Sequence, residues 1–407
     1  MKHAPSPESC AHHGARQKVV AWDYNAPDPF PGFGGKVGLG QDIVETADGD
    51  WLLVFHAGYW HLSMATPFVA PPATLDRWER AGFPRDIHAP RGGRVMAMRS
   101  SDHGRTWSRP GTILAGDTDV SPVGINRLSD GTLLIFVNNQ ASWYGLEQAP
   151  RGHLPMNTRL GVIRSTDDGQ TWSAPAWLDM PYAYYQRAYA QAVEMPDGSV
   201  LYPTYAATGR NGPLHGAIHR SRDCGRSWEL LSRIERRDGQ DIDEPSMVLL
   251  DDGRLLLITR PDAAVFYCED SGRTWTMSHR APLAPLKAPR LARLRDGAVV
   301  CWATSHGSLR ASFSTDRGRT WQLDADARPF ALDPDCYGYP GGSVCDDQTI
   351  VVVYYDAAHR QRKTAVWLLR FRVNDARTGI ELLPAAAIDA AGHAQSPRGQ
   401  ELDVDAM

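Results

Sequence analysis

SSDHGRTW, at residues 100–107, is the first of five copies of one motif. The other copies are STDDGQTW at 165–172, SRDCGRSW at 221–228, CEDSGRTW at 268–275 and STDRGRTW at 314–321. Their shared form is Ser-x-Asp-x-Gly-x-Thr/Ser-Trp, and successive tryptophans are 65, 56, 47 and 46 residues apart. A constant motif at variable spacing indicates an array of similar units joined by loops of different length.

Each copy of the motif has the composition of a self-contained turn. The aspartate can accept hydrogen bonds from nearby backbone N–H groups and from the Thr or Ser hydroxyl. The glycine can adopt the positive φ that closes the turn, and the tryptophan can pack between neighbouring units. The motif aspartates are therefore predicted to be structural, and none of the five is expected to be catalytic.

Six apolar runs, each interrupted by a turn, alternate with this motif. Asp-Gly between two β-rich runs is the strongest short signal for a hairpin, and five of the runs contain it. The five pairs are Asp48–Gly49, Asp130–Gly131, Asp197–Gly198, Asp252–Gly253 and Asp296–Gly297. The sixth run has Asp347–Gln348 at the same place. The sequence thus predicts six hairpins.

Six hairpins, most of them followed by a third strand, a motif turn and a fourth strand, predict an all-β fold. The expected architecture is a six-bladed β-propeller with four antiparallel strands in each blade. The last blade lacks the motif, and residues 18–24 are expected to supply its fourth strand and close the ring. We therefore expect a flexible N-terminus at 1–17, the propeller at 18–373 and a tail at 374–407.

Composition excludes several classes of protein. Among 407 residues, 42% are hydrophobic and the formal net charge is −4, which disfavours general disorder and a strongly basic nucleic-acid-binding surface. No apolar run reaches 18 residues, and the start of the chain has no apolar leader core. A cytoplasmic location is expected, or secretion if a leader precedes this sequence. The six cysteines show no CxxC pair, and neither a metal nor a cofactor is expected.

The long insertions, at residues 56–94 and 138–157, fall on one rim of the predicted propeller. Binding residues usually lie on such loops. Counting nine residues back from each hairpin glycine, or from Gln348, gives the residues expected to surround the centre at this rim. They are Gly40, Pro122, Tyr189, Glu244, Ala288 and Tyr339, with Arg187 and Lys287 close to the same level.

The five motifs resemble the Asp-box repeats of the sialidase superfamily, and the resemblance covers about residues 18–373. It implies that Tyr339, in YPGGSVCDDQTIVVVYY, is a nucleophile activated by Glu244, in DEPSMVLLDDGRLLLITR. It also implies that Arg260 is the second of three arginines that bind the carboxylate of the sugar. Sialidases use a tyrosine nucleophile where most glycosidases use a second carboxylate.

The sequence departs from the family pattern at the other two arginines. The family's first arginine belongs to an Arg-Ile-Pro stretch at the start of blade 1, where this chain has GKVGLGQDIV. Near the third, only His306 and Arg310 are available. Because each charged hydrogen bond contributes about 1.5–3 kcal/mol, the loss predicts a substrate other than ordinary sialic acid.

The family's general acid is an aspartate on a loop of blade 1. The candidate here is Asp86, with Asp76, Glu79 and His88 as alternatives in the same insertion. Arg187, Tyr189, Lys287, His88, His306 and Arg310 are candidate substrate-binding residues beside Arg260.

Three functions are consistent with these residues. The first is a retaining exo-glycosidase that acts on a terminal sugar of a glycoside or oligosaccharide. The second is a polysaccharide lyase, in which Arg260, Arg187 and Lys287 would neutralise a uronate. The third is a propeller that binds carbohydrate without catalysis. No nucleic-acid or membrane partner is expected.

Overall fold

A computed structural model of the chain describes most of the predicted blades. The described residues are 15–21, 36–58, 94–115, 119–140, 158–179, 185–207, 213–334, 336–356 and 365–385. Within these stretches, no helix is long and apolar enough to cross a membrane.

The strands form six antiparallel sheets, which we number as blades 1 to 6 in chain order. The first strand of the chain, β1 (Arg16–Ala21), belongs to blade 6. Blade 1 contains β2 (Lys36–Glu45), β3 (Trp51–Gly58), β4 (Arg94–Ser100) and β5 (Gly111–Leu114). Blade 2 contains β6 (Asp119–Arg127), β7 (Leu133–Gln140), β8 (Thr158–Ser165) and β9 (Ala176–Trp177). Blade 3 contains β10 (Tyr185–Arg187), β11 (Val193–Glu194), β12 (Val200–Ala207), β13 (His215–Ser221) and β14 (Glu229–Ile234).

The remaining three blades follow the same order. Blade 4 contains β15 (Asp243–Leu249), β16 (Leu255–Arg260), β17 (Ala264–Cys268) and β18 (Thr276–Arg280). Blade 5 contains β19 (Leu286–Arg293), β20 (Val299–Ser305), β21 (Ser308–Ser314) and β22 (Phe330–Asp333). Blade 6 contains β23 (Cys336–Val344), β24 (Ile350–Asp356), β25 (Ala365–Val373), β26 (Ile380–Leu383) and β1. The predicted six-bladed propeller is therefore confirmed.

The ring closes through the N-terminal strand, as the sequence predicts. β1 pairs with one half of the outer edge of β25 and begins at Arg16, two residues before the predicted strand. β26, which the sequence did not predict, pairs with the other half. Arg16 also reaches Asp333 of blade 5, with 3.1 Å between Nη1 and Oδ2. Blade 6 thus contains strands from both ends of the described chain.

The five repeated motifs form the predicted turns. In the first, Asp102 accepts hydrogen bonds from the Ser100 hydroxyl (2.8 Å) and from the N–H and hydroxyl of Thr106 (2.8 and 2.7 Å). The Trp107 indole donates to the carbonyl of Gly104 at 3.1 Å, and Gly104 has a φ of 88°. Burial opposes ionisation of Asp102, but these hydrogen bonds lower its pKa. Both carboxylate oxygens of Asp102 accept hydrogen bonds from its own turn, which is the structural role that the sequence predicts.

The core lies between adjacent blades, because both faces of each sheet are covered. Alternate residues of a strand point to opposite faces. In β7, Leu134 and Phe136 therefore pack towards blade 3, whereas Leu133 and Ile135 pack towards blade 1. Trp228, from the motif of blade 3, meets Phe136 edge to face at 5.6 Å between ring centres. This packing explains the nearly continuous apolar runs of the sequence.

Candidate active site

The innermost strands share an irregularity at one level of the propeller. The strand pairing shifts register in β2, β6, β15, β19 and β23. Four residues at this level have positive φ: Gly40 (104°), Glu244 (46°), Ala288 (50°) and Tyr339 (52°). Bulges re-aim side chains, and unfavourable backbone conformations concentrate at functional sites. The level found by counting back from the hairpin turns is therefore the level at which the strands bulge.

Glu244, Arg260 and Tyr339 lie in contact at this level. Nη1 of Arg260 donates to Oε1 of Glu244 at 2.8 Å and approaches the phenol oxygen of Tyr339 at 3.5 Å. The negative charge of Glu244 acts on the Tyr339 phenol and raises its pKa. A carboxylate and a guanidinium, brought from adjacent strands of blade 4, thus meet the phenol of blade 6.

Glu244 is held from a second side by blade 5. Its other oxygen, Oε2, accepts a hydrogen bond from the backbone N–H of Ala288 at 2.7 Å. Only 1% of Glu244 is exposed, so these charge-assisted bonds offset the cost of burying its charge. The left-handed conformation of Ala288 accompanies this N–H contact. The orientation of the carboxylate is consequently fixed before any ligand binds.

The surroundings keep the Tyr339 phenol protonated. Burial and the neighbouring negative charge of Glu244 raise its pKa well above the usual value for tyrosine, although Arg260 opposes the shift. The ammonium group of Lys287 lies 4.8 Å from the centre of the Tyr339 ring. Burial lowers the pKa of Lys287, and Arg260 acts in the same direction. The site therefore contains a neutral phenol between a carboxylate and two cations.

Asp243 is a second carboxylate of the site. Its Oδ2 lies 3.5 Å from Nε of Arg260. Burial raises its pKa to about 8, and the adjacent Glu244 adds to the shift. The positive charge of Arg187, from blade 3, acts in the opposite direction on Asp243. Arg187 is itself 5% exposed, which places this candidate residue at the junction of blades 3 and 4.

Tyr189 lies behind Tyr339, away from solvent. Its ring meets that of Tyr339 edge to face, with 4.9 Å between centres, and its hydroxyl donates to the backbone carbonyl of Tyr339. The side-chain amide of Gln41 donates to the same carbonyl. Tyr355 stacks on the other side of Tyr339, at 6.5 Å between ring centres.

His306 and Arg310 lie together at the β20–β21 hairpin of blade 5. The imidazole of His306 contacts the Ser305 hydroxyl at 2.8 Å, and burial, together with Arg310, lowers its pKa. Arg310 donates to the carbonyl of Pro329 at 2.6 Å and lies 3.5 Å from Asp324. These hydrogen bonds direct the Arg310 guanidinium towards the outer strands of its own blade.

Four candidates lie outside the described residues. Asp86, the candidate general acid, and His88 both belong to the insertion of blade 1, as do Asp76 and Glu79. Their assignments stay predictions. Among the candidates that the structure describes, it brings Glu244, Arg260, Lys287 and Tyr189 together around Tyr339.

Asp243, Gln41 and Ala288 contribute to the site in ways that sequence reasoning missed. Asp243 could be recognised as a neighbour of Glu244, but its own raised pKa depends on burial. Gln41 reaches Tyr339 over 298 positions of sequence, and Ala288 acts only through its backbone. One signal was available, because Glu244, Ala288 and Tyr339 each precede a proline. Proline cannot donate to a strand ladder and marks bulges.

The described part of the chain contains no group of three His, Cys, Asp or Glu side chains placed to hold a metal ion.

Comparison with known proteins identifies a family and several relatives. Residues 94–352 match the BNR repeat-like domain family. A sialidase of Bacteroides fragilis is 24% identical over 314 residues, which cover 67% of this chain and 56% of that enzyme. The chain thus spans about half the length of the curated relatives it matches.

Solved structures share the fold at low sequence identity. A protein of unknown function from Dyadobacter fermentans superposes with a TM-score of 0.64 at 17% identity, covering 88% of this chain and 99% of that one. A Trypanosoma rangeli sialidase, bound to 2,3-difluorosialic acid as a covalent intermediate, superposes with a TM-score of 0.60 at 13% identity. The superposition covers 87% of this chain and 58% of the Trypanosoma rangeli sialidase.

Proposed function

Since the chain belongs to the BNR repeat-like domain family, we propose that it is a sialidase-like exo-glycosidase that cleaves a terminal glycosidic bond with retention of configuration. One observation carries the proposal: a single guanidinium nitrogen of Arg260 reaches both the Glu244 carboxylate and the Tyr339 phenol at the bulged level of the propeller, so that the carboxylate and the phenol lie beside each other. A phenol paired with a carboxylate is the arrangement that a tyrosine nucleophile requires.

The chemistry follows from this contact. As the phenol oxygen of Tyr339 bonds to the anomeric carbon, Glu244 accepts the phenol proton, and the bond to the leaving group breaks. A general acid, for which Asp86 is the candidate, protonates the departing oxygen. Water then attacks the anomeric carbon from the face that the leaving group has vacated, and the group that acted as acid takes up its proton. The bond from the anomeric carbon to Tyr339 breaks, and the phenol oxygen recovers its proton from Glu244. Two inversions give net retention.

A neutral nucleophile suits an anionic substrate. A carboxylate nucleophile would repel a negatively charged sugar, whereas the protonated phenol of Tyr339 does not. Arg260 and Lys287 place positive charge beside Tyr339, and the charge of Arg187 acts on the neighbouring Asp243. We propose that these three side chains bind the carboxylate of an acidic sugar. Since the blade 1 arginine of the sialidase pattern is absent from GKVGLGQDIV, we propose that the substrate is a modified sialic acid or another acidic sugar.

The test measures release of the aglycone from a panel of aryl glycosides that includes α-sialosides and α-glycosides of related acidic sugars. Replacement of a nucleophile typically lowers kcat by orders of magnitude. We therefore expect Tyr339→Phe to lower kcat at least about 100-fold. Tyr267→Phe is the control, because the Tyr267 hydroxyl donates to a backbone carbonyl, that of Arg317, at 2.9 Å on the opposite rim.

Covalent trapping adds a second measurement. A 2,3-difluoro derivative of the hydrolysed sugar should increase the intact mass of the wild-type protein by one glycosyl group, and Tyr339→Phe should prevent the increase. Hydrolysis that proceeds equally well in Tyr339→Phe would show that the nucleophile lies elsewhere.

Lys287 favours a polysaccharide lyase as the second candidate. A lysine with a lowered pKa beside a tyrosine could remove the α-proton of a uronate whose charge Arg260 neutralises. Ultraviolet absorbance decides between the two, because lyase products contain a conjugated enol acid and hydrolysis products do not. Binding without turnover, unaffected by Glu244→Gln, would instead indicate a non-catalytic carbohydrate-binding propeller.

A further inference from the structure

The backbone carbonyl of Tyr339 accepts hydrogen bonds from side chains of two other blades. The hydroxyl of Tyr189 donates to it from blade 3, and the amide of Gln41 donates to it from blade 1. Tyr189 is 2% exposed and Gln41 is fully buried, so neither donor is in a position to exchange its partner for water. Three blades therefore meet at one peptide group.

The two donors are themselves held by a buried ion pair. The guanidinium of Arg290 lies 4.6 Å from the centre of the Tyr189 ring and 3.5 Å from the carboxylate of Asp42. Asp42 follows Gln41 directly in the chain. Its oxygens accept hydrogen bonds from the backbone N–H groups of Ile43, Ile125 and Gly342. The Asp42 carboxylate therefore has both a cation and three hydrogen bonds, which offset the cost of its burial. Its partners belong to blades 1, 2 and 6, so it joins the strands behind Tyr339.

The carbonyl needs such support because of the conformation of Tyr339. With φ at 52°, a bulky side chain occupies a region that L-residues with a Cβ rarely adopt. Such a conformation persists only where the surroundings over-determine it. The direction of the Cα–Cβ bond, and with it the position of the phenol, depends on this backbone conformation. Hydrogen bonds that restrain the Tyr339 carbonyl therefore also restrain the position of its phenol.

We propose that Tyr189 and Gln41 are positioning residues, which hold the Tyr339 carbonyl from two blades and so keep its phenol within reach of Arg260 and beside Glu244. The proposal rests on the proposed function for its effect on catalysis, whereas its geometric part concerns the phenol alone. It also gives Tyr189 a role behind the nucleophile rather than in direct contact with the sugar.

The principal variant is Tyr189→Phe, which keeps the ring against Tyr339 and removes only the hydroxyl. Its matched control is Tyr267→Phe, because the Tyr267 hydroxyl also donates across blades to the carbonyl of a left-handed residue, Arg317 (φ 63°). Both variants should lose similar thermal stability. Misplacement of a reacting group by about 1 Å can lower a rate about 100-fold. We expect Tyr189→Phe to lower kcat about 10- to 100-fold with KM changed less than about threefold, and Tyr267→Phe to leave kcat at the wild-type value.

A spectroscopic measurement reports on the phenol without requiring turnover. Tyrosine labelled with ¹³C at Cζ gives one signal per residue, and Tyr339→Phe identifies the signal of Tyr339. We expect this signal to move in Tyr189→Phe and in Gln41→Met, which removes the second donor at similar volume, but not in Tyr267→Phe. If Tyr189→Phe does not fold, Gln41→Met tests the same positioning role.

The proposal is overturned if the Tyr339 signal keeps its wild-type position in the donor variants, or if kcat in Tyr189→Phe falls no further than in Tyr267→Phe. If the wild-type protein cleaves no glycoside, the proposed function fails on that result. The Tyr339 signal then tests the positioning role on its own.

Discussion

Asp243 and Glu244 are consecutive acidic residues that differ in the hydrogen bonds their side chains accept. Glu244 receives a guanidinium N–H on one oxygen and a backbone N–H on the other. Asp243 has only the longer contact with Nε of Arg260, and burial raises its pKa to about 8. Glu244 is thus fixed through both of its oxygens, whereas Asp243 binds a proton near neutral pH.

The raised pKa of Asp243 predicts a pH-dependent stability. The folded state binds a proton at Asp243 that the unfolded chain releases near pH 4, so this residue costs stability as pH rises from about 4 through 8. Asp243→Asn should therefore gain stability relative to wild type between pH 5 and pH 9. Melting temperatures across this range measure the difference. Asp326→Asn, at an exposed turn away from Asp243, is the control. Parallel curves for wild type and Asp243→Asn would contradict the prediction.

Arg260 is expected to require its guanidinium geometry as well as its charge. It contacts Glu244, Asp243 and the Tyr339 phenol, which one ammonium group cannot do from the same position. Given the proposed activity, Arg260→Lys should lower kcat/KM about 10- to 100-fold, since a charged hydrogen bond contributes about 1.5–3 kcal/mol. Arg317→Lys, at an exposed ion pair with Asp251, should leave kcat/KM unchanged. Equal kinetics in the two variants would argue against the role of Arg260.

Sequence reasoning placed Glu244 and Tyr339 at one level because each belongs to a hairpin with a recognisable turn, whereas Arg260 was implied by the resemblance to sialidases. Within one hairpin, counting residues from the turn predicts which residue lies at the rim that carries the candidate site. The contacts of Gln41 and Tyr189 with Tyr339 could not be predicted in this way, because they join different blades. No local pattern fixes the height of one blade relative to the next.

At the scale of elements, the turns depend on residues in the left-handed conformation. The repeated motif uses two in succession, such as His103 (φ 55°) and Gly104 (φ 88°). In the hairpin of blade 6, Gln348 adopts a φ of 67° where the other hairpins have glycine. Its side chain accepts the N–H of Arg295 at 2.6 Å, a bond between blades that glycine could not make. The missing Asp-Gly signal is explained by this contact.

Two exposed turn residues should respond to substitution in opposite directions. Ala327 has a φ of 56°, and Gly253 has a φ of 84° with open space where a Cβ would lie. Ala327→Gly should stabilise the protein by about 0.5–1 kcal/mol, because it relieves a left-handed alanine. Gly253→Ala should destabilise it by about 1 kcal/mol for the same reason. Urea unfolding measures both, and changes of the same sign would contradict the argument.

The hairpins and the motif turns could be predicted because their determinants lie within a few residues. β26 was missed because it is a four-residue strand without an Asp-Gly turn before it. β1 was predicted because blade 6 lacked a fourth strand, an argument from the number of strands rather than from its own sequence.

At the scale of the whole molecule, the ring depends on the contact between blades 5 and 6. Arg16 and Asp333 are 12% and 2% exposed in their side chains, and the Tyr354 hydroxyl also donates to Asp333. Arg16→Met should destabilise the protein by about 3–5 kcal/mol, because it leaves a buried carboxylate without its cation. Asp333→Asn in the same chain should recover most of this loss.

Arg372→Met is the control for this prediction. Arg372 pairs with Glu381 at the surface of the same sheet, where both side chains are about half exposed. Such a pair contributes about 0–1 kcal/mol. The free energy of unfolding in urea measures all of these variants, and similar losses for Arg16→Met and Arg372→Met would show that ring closure does not depend on the buried pair.

The two strands on the outer edge of β25 meet end to end. Leu383 of β26 pairs with Arg370, and Arg16 of β1 pairs with the next residue of β25, Leu369. Both strands run antiparallel to β25, so together they trace a single strand with one interruption. A circular permutant that links residue 383 to residue 16, with new termini in the turn at Gly253, would make that strand covalently continuous. The strand order of the propeller therefore does not depend on where the chain begins, and its termini can be relocated to another turn.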